Sequence, residues 1–520
     1  MFINSDSLKK DSESESDICI IGTGAAGISM ALKFSDSPLK IIMLESGKAV
    51  RDSDIQKLND LETSDLPIEQ TSRIRTFGGT TTAWSGRWKP HDRIDLEKRD
   101  WIEHSGWPVG IDDLDKYYEE SARVIGTPSL RDINSYDKFP FRNNDLAPTS
   151  IKQLKKTHLD FGKRYTDLLA KSQNIVVYTE ATVTNLNSDA KRVTRAEIKT
   201  LGGNSFTIKA KTFVLACGGI ENARLLLLSK IGNEYDQVGR YYMDHPKGIA
   251  GSVSLKDPKV DFPWMTGIGL SEDVQRENQT LNSYVLLFPT YERDERLRRL
   301  PKPLGRVLSK IFKLFLGKPK KVSGAVVRNY MEQSPDPENR VTLGNSVDAF
   351  GNKLPLIRWS LSEIDKKTMI VLHKLLGKNL LDTGLGSLQS PLLDGIPQDW
   401  PISEDASHHM GTTRMGTDPR SSVVNPDCRV HSVENLYIAG SSVFPTSGAC
   451  SPTTTIIALT LRLADHIKGQ LYSEAFITSL APRERMNSQR PPTLRLYARY
   501  LHKFFSKVLA FWPVARPNRI

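Results

Sequence analysis

The stretch DICIIGTGAAGISMALKFSDSPLKIIMLESG, residues 17–47, constrains the fold more than any other part of this chain. Its apolar opening predicts a buried strand. The glycines predict a tight turn, and the residues after them read as a short helix and a second buried strand, which together make a βαβ unit. In Gly22-Thr23-Gly24-Ala25-Ala26-Gly27 the first glycine allows the turn. The second lets backbone approach a pyrophosphate, and the third lets helix and strand pack closely. The helix start offers free N–H groups and a positive dipole end to phosphates. Glu45, closing the second strand, is placed to accept hydrogen bonds from a ribose. The pattern predicts a bound dinucleotide without separating FAD from NAD; the carboxylate argues only against NADP.

Two later segments repeat the strand–glycine–helix sequence. NIVVYTEATVTNL and KTFVLACGGIENARLLLLS lie within residues 174–229, and NLYIAGSSVFPTSG precedes the helical run TTTIIALTLRLADHI. Three such segments far apart predict one doubly wound sheet interrupted by insertions. Between about residues 250 and 400, short alternating runs such as SYVLLFPTYE and NRVTLGN predict an antiparallel sheet in a separate, substrate-shaping part. There Ser362 and Asp365 mark a capping-box helix start, with the helix running to Gly384 and Gly386. The expected division is 15–100, 160–250 and 400–470 for the nucleotide-binding domain, 101–159 and 251–399 for the substrate domain, and a basic tail over 471–520.

The 520 residues hold four cysteines, Cys19, Cys217, Cys428 and Cys450, with no CxxC pair, so neither a disulfide framework nor a metal cluster is expected. The acidic, serine-rich start MFINSDSLKKDSESESD lacks the pattern of a signal peptide, which predicts a cytoplasmic protein. The net charge of +11 concentrates in two places. In RLRRLPKPLGRVLSKIFKLFLGKPKK, Leu304, Val307, Leu308, Ile311, Phe312 and Phe315 form one helical stripe, with Arg306, Lys310 and Lys313 opposite. In the tail, Tyr497, Tyr500, Leu501, Phe504, Phe505, Val508 and Trp512 face away from Arg495, Arg499, Lys503 and Lys507. Basic amphipathic segments of this kind predict peripheral membrane-surface binding, with helix packing on the protein body as the alternative. Bulky apolar stripes and the lack of a recognisable module argue against nucleic acid.

The chain resembles the glucose-methanol-choline (GMC) oxidoreductases in five ordered places. After the βαβ unit come RTFGGTTTAWSG (75–86), ACGGIENARLLLLS (216–229) with VGRYYMDHP (238–246), and EQSPDPENRVTL (332–343). The last is HHMGTTRMG (408–416), followed by NLYIAGSSVFPTSG and SPTTT. The resemblance implies an α/β protein, α+β overall. It would have a Rossmann-like FAD-binding domain of discontinuous segments and a substrate domain with an antiparallel sheet. It places Gly22, Gly24, Ala26, Gly27 and Glu45 at the ADP half, Val183 near the adenine, and Ala216 and Gly218 in the second flavin-domain motif. Gly78, Gly79, Thr80 and Trp84 would lie by the flavin, and Gly440, Ser441, Pro452 and Thr453 near its pyrophosphate and pyrimidine edge. Where some members attach the flavin through a histidine this chain has Ala83, so non-covalent FAD is implied.

In the family a histidine three residues before the GT of the last motif accepts the hydroxyl proton while hydride leaves for the flavin; here it is His408. A histidine pKa of about 6.5 suits a base near neutral pH. His409 is expected to be a structural neighbour. The partner position, usually Asn or His, holds Ser451, a departure: its hydroxyl can orient a substrate hydroxyl but is no base. Cys450 beside it is expected to be a small core residue. The reading is an FAD-dependent alcohol oxidoreductase acting on a sugar, polyol or glycoside, with a lipid-linked hydroxyl substrate as a further expectation. A flavin-fold lyase and a catalytically impaired, membrane-recruited FAD-binding protein are the alternatives. The electron acceptor is not legible.

Overall fold

The computed structural model describes residues 1–63, 68–69, 72–127, 139–141, 144–149, 151–189, 191–257, 266–291 and 322–480. Both basic amphipathic segments lie outside the described residues. Met1–Asp465 forms one compact unit and His466–Ile520 a second. The junction falls a few residues before the expected tail, within the helix Thr453–Leu480.

The first sheet has eight described strands. Its parallel part runs Phe2–Asn4, Ile175–Thr179, Ile41–Leu44, Ser12–Ile21, Ser205–Leu215 and Leu436–Ile438. Val193–Lys199 and Thr182–Ser188 extend it antiparallel. Ile18, Ile20, Ile41, Ile42, Phe213 and Val214 are buried, as parallel strands covered on both faces require, which is why they read as continuous apolar runs. The sheet begins earlier than expected: Phe2 pairs with Val177, and the central strand starts at Ser12. Alternating SESESD exposes every second side chain along the sheet margin and so carries no apolar signal.

The second sheet is antiparallel throughout. Its order is Gly386–Gln389, Lys247–Leu255, Val322–Met331, Ser283–Tyr291, Gly267–Leu270 and Leu146–Thr149. The helix Glu363–Asp382 lies on it, with Met369, Leu372, Leu376 and Leu380 packed among Val253, Val285, Leu287 and Val327. Each such side chain contributes about 1.5–3 kcal/mol by leaving water. Ser362 and Asp365 form the expected capping box. The run NRVTLGN does not join this sheet. Arg340–Val347 pairs with Lys353–Arg358 in a small separate sheet. Asp348, at the turn, accepts from Phe350 N and Asn352 N and pairs with Arg224 at 2.7 Å, tying the hairpin to the helix Gly218–Ser229.

Candidate active site

The strand Ser12–Ile21 ends at Gly22, whose φ of +105° makes the turn into the helix Ala25–Phe34. A Cβ on Gly27 would overlap the Gly22 carbonyl oxygen, so the helix start can lie this close only without a side chain there. The helix begins without a side-chain cap and with no acid in its first turn, leaving its N–H groups and positive end for a ligand. The helix Gly218–Ser229, also without a side-chain cap, starts on the same space.

That space is a cavity of about 460 Å³. It is lined by Gly22, Gly24, Ala26, Glu45, Gly79, Thr80, Trp84, Val183, Ala216, Gly218, Gly440, Ser441, His408, Ser451, Pro452 and Thr453. The structure thus brings together every residue the sequence nominated except two. Gly27 and Gly78 stand behind the wall and shape it. Gly78 has φ +98°, and a Cβ there would lie 2.6 Å from Gly162 N. At Gly24, Gly218 and Gly440 an added Cβ would meet nothing within 4 Å: these positions form a backbone cradle that a side chain would fill. Two helix starts without side-chain caps, a glycine cradle and a carboxylate just past the end of the neighbouring strand Ile41–Leu44 suit a dinucleotide.

Glu45 is buried, accepting from the Thr23 hydroxyl, Thr23 N (3.3 Å) and Gly47 N (2.7 Å). Burial raises its pKa, and these hydrogen bonds oppose the shift. With about four lone-pair sites, the carboxylate keeps capacity for a ribose hydroxyl. Beyond it the cavity wall carries charge that sequence reading did not single out. Glu221 pairs with Arg73 at 2.8 Å and Arg75 at 3.0 Å. Burial would raise its carboxyl, but Arg75, Arg224 and Arg73 outweigh it and hold the group at about 2. Cys217 also lines the cavity; burial pushes its thiol up to about 12, so it is no nucleophile.

At the other end His408 Nδ1 lies 2.9 Å from His245 Nδ1, and His245 Nε2 lies 3.1 Å from the Ser447 carbonyl oxygen. One oxygen of Asp244 accepts from both backbone N–H groups, His245 N at 2.6 Å and His408 N at 3.1 Å, clamping the two histidines together. Burial, and then His245, lower the His408 pKa well below its ordinary value, so the imidazole is neutral across the physiological range. Asp244 also faces Asp405. Burial and this neighbour raise Asp244 far above the usual carboxylate range. Asp405, whose burial alone would raise it, is held at about 2 by the hydrogen bond from Asp244 and by His409. The two share one proton, carried by Asp244.

Asp244, Asp405 and His409 bring ligating atoms within 4.8 Å of one another. With Asp405 also accepting from Glu69 N and Ser407 N, and Asp244 protonated, the cluster reads as a proton-sharing clamp. His409 stacks on Tyr242 at 6.0 Å and points Nε2 towards Asp405 at 3.8 Å, although its residue also borders the cavity. Cys450 is buried behind the wall, Sγ 3.5 Å from His91 Nδ1, its thiol raised by burial. The sequence signal for Asp244 and His245 was present in YYMDHP but had no partner to give it meaning.

Among the described residues no helix is long and apolar enough to cross a membrane. Residues 163–247 and 335–460 match the N- and C-terminal parts of the GMC oxidoreductase family. The fructose dehydrogenase large subunit of Gluconobacter japonicus is 29% identical over 481 residues, 76% of this chain and 81% of that protein. The 2-methyl-1,2-propanediol dehydrogenase of Mycolicibacterium austroafricanum is 23% identical over 88% of this chain and 96% of its own length. Formate oxidase of Aspergillus oryzae RIB40, whose FAD modification has been studied structurally, superposes with a TM-score of 0.58 at 16% identity, covering 90% of this chain and all of that one. By motif, fold and these likenesses, the chain belongs to the GMC oxidoreductase family and is an oxidoreductase.

Proposed function

We propose that this chain is an FAD-dependent enzyme that oxidises the CH–OH group of a sugar, polyol or glycoside to a carbonyl, with His408 as base. The observation that carries the reading is a neutral histidine, fixed through its Nδ1, on the wall of a cavity whose other end is built for a dinucleotide. Gly22, Gly24, Glu45, Val183 and Gly218 would hold the ADP half of FAD, and Gly79, Thr80, Trp84, Gly440, Ser441, Pro452 and Thr453 the flavin half. When bound, FAD supplies the acceptor for the hydride that leaves the alcohol carbon. His408 takes the hydroxyl proton, and Ser451, on the same cavity wall, orients the hydroxyl through its own O–H. Ala83 offers no atom for a covalent link and Cys217 is held as a thiol, which supports non-covalent FAD. The substrate class is supported by relatives named for fructose and a diol.

The test is an anaerobic titration of the purified protein with sugars, polyols, glycosides and simple alcohols. Absorbance near about 450 nm, released by denaturation and bleached by one of these classes, is the expected result. A folded chain that takes up no FAD overturns the cofactor assignment; FAD that no alcohol bleaches favours a non-oxidative flavin fold or an impaired binding protein. Membrane-surface association through residues 296–321 and 490–520 rests on their basic amphipathic pattern. It predicts that deleting 490–520 weakens flotation with anionic vesicles while FAD is retained, and unchanged flotation removes the tail from the proposal.

A further inference from the structure

Which nitrogen of His408 faces the substrate decides whether it can act as a base at all, and the surroundings of His245 answer this. The Ser447 carbonyl oxygen has no proton to give. It receives both His91 Nε2 at 2.9 Å and His245 Nε2 at 3.1 Å, so each ring must present an N–H there. The other nitrogen of His91 lies 2.7 Å from the Thr455 hydroxyl, which can donate to it. For His245 the remaining nitrogen, Nδ1, is then an acceptor, provided the ring is neutral. Burial secures that, lowering its pKa to about 4. The atom opposite this acceptor at 2.9 Å is His408 Nδ1, which must carry the proton of that hydrogen bond.

We infer that His245 is a positioning residue: by accepting the Nδ1 proton of His408 it leaves the His408 Nε2 lone pair free as the base. The opposite arrangement would set a lone pair of His245 against the Ser447 carbonyl. The rings meet edge to face, centroids 5.1 Å apart and planes at 85°, with both backbones held by Asp244, so turning the His245 ring would give up its contacts to both His408 and the Ser447 carbonyl. The relay therefore runs from the Ser447 carbonyl through His245 to His408. Ser447 is itself locked, its hydroxyl accepting from Gln333 N at 3.0 Å. The inference deepens the proposed reaction and rests on His408 being its base, but the tautomer can be read without any turnover.

The experiment is ¹⁵N NMR of the FAD-loaded protein labelled at histidine, with His408 assigned by comparison with His408→Gln, alongside anaerobic reduction by the alcohol that bleaches the wild type. In the wild type His408 should carry its proton on Nδ1. His245→Leu removes the acceptor and should move the proton towards Nε2, slowing reduction on the order of 10²–10⁴-fold. His245→Asn, which keeps an oxygen acceptor near the Nδ1 position, should retain the wild-type tautomer and most of the rate. A wild-type His408 protonated on Nε2, or an unchanged tautomer in His245→Leu, overturns the inference; if the leucine variant does not fold, the wild-type and asparagine spectra decide. A tautomer that moves while the rate does not would leave the positioning role standing and sink His408 as the base.

Discussion

The two ends of the cavity are built on opposite principles. The nucleotide end is made of backbone: Gly22, Gly24, Gly218 and Gly440 set its shape, two helix starts supply its field, and Glu45 adds one carboxylate. The reactive end is made of buried side chains: Asp244 clamps the backbones of His245 and His408, and the ring protons are assigned from the Ser447 carbonyl through His245 to His408. A backbone site tolerates exchange of most neighbouring side chains but not added bulk. A proton-assigned site tolerates bulk better than the loss of a single acceptor. This difference predicts how each end should fail.

Acid should separate them most. Burial lowers His91 to about 3 and His245 and His409 to about 4, whereas an unfolded histidine titrates near 6.5. Above pH 6.5 both states are neutral and these groups add no pH dependence. Below it the unfolded chain takes up protons that the folded chain refuses, so stability falls from pH 6.5 towards 4. Each histidine can cost up to about 1.4 kcal/mol per pH unit in that window, so the three together up to about 4 kcal/mol per unit. Burial also raises Asp244, Asp95 to about 7 and Asp365 to about 6, which favours the folded state as pH falls, while His408, lowered well below its ordinary value, and His373, lowered to about 4, add to the histidine side. Urea midpoints should drop sharply from pH 7 to 5.5. Hydrogen exchange should report the loss around residues 405–415 before the strand Ser12–Ile21; a flat profile would mean the reactive end is not proton-assigned.

Next in size is His408→Gln, which removes the proposed base while leaving the nucleotide end untouched. The expected outcome is FAD retained at wild-type occupancy with flavin reduction slowed on the order of 10³-fold. Loss of FAD in this variant would show that the two ends are not independent. The converse is Gly24→Val. A Cβ there meets no protein atom within 4 Å and φ is −72°, so urea stability should shift by less than about 0.5 kcal/mol. The side chain would occupy the space proposed for FAD, and affinity measured by fluorescence titration should fall about 10–100-fold. Gly27→Val, by contrast, should destabilise the fold itself by about 1–3 kcal/mol, because its Cβ would collide with the Gly22 carbonyl.

The same difference governs what could be read from sequence. Glycines at fixed spacing act within a few residues of one another, so Gly22, Gly24 and Gly27 declared the nucleotide end in a single motif. The relay at the other end joins His408 to His245 across 163 positions and to Ser447 through backbone carbonyl geometry. No local pattern carries that. His408 was legible only because a family motif marks it, and its neighbours Asp244, Asp405 and His245 emerge only when the strand crossing at residues 243–247 meets the segment 404–410. The SESESD strand was missed for a different reason: its alternate exposed positions are charged or polar along the sheet margin, so burial there leaves no apolar signature.

Ser451 offers the smallest and most discriminating effect. It lines the cavity with His408 at the position where the family usually places Asn or His. A serine can donate one hydrogen bond and accept others, so in the proposed reaction it orients the substrate hydroxyl towards His408 without sharing the proton. If the His245 relay alone makes His408 competent, Ser451→Asn should change the rate of flavin reduction by less than about tenfold, roughly 1.4 kcal/mol. It should leave the pH dependence of that rate unmoved, because the base is the same. Ser451→Ala should raise KM more than it lowers kcat, the pattern of lost orientation in the ground state. A large gain in kcat with Ser451→Asn would mean that the reactive end as it stands lacks a group it needs, and that the proton-assigned relay is only part of the machinery.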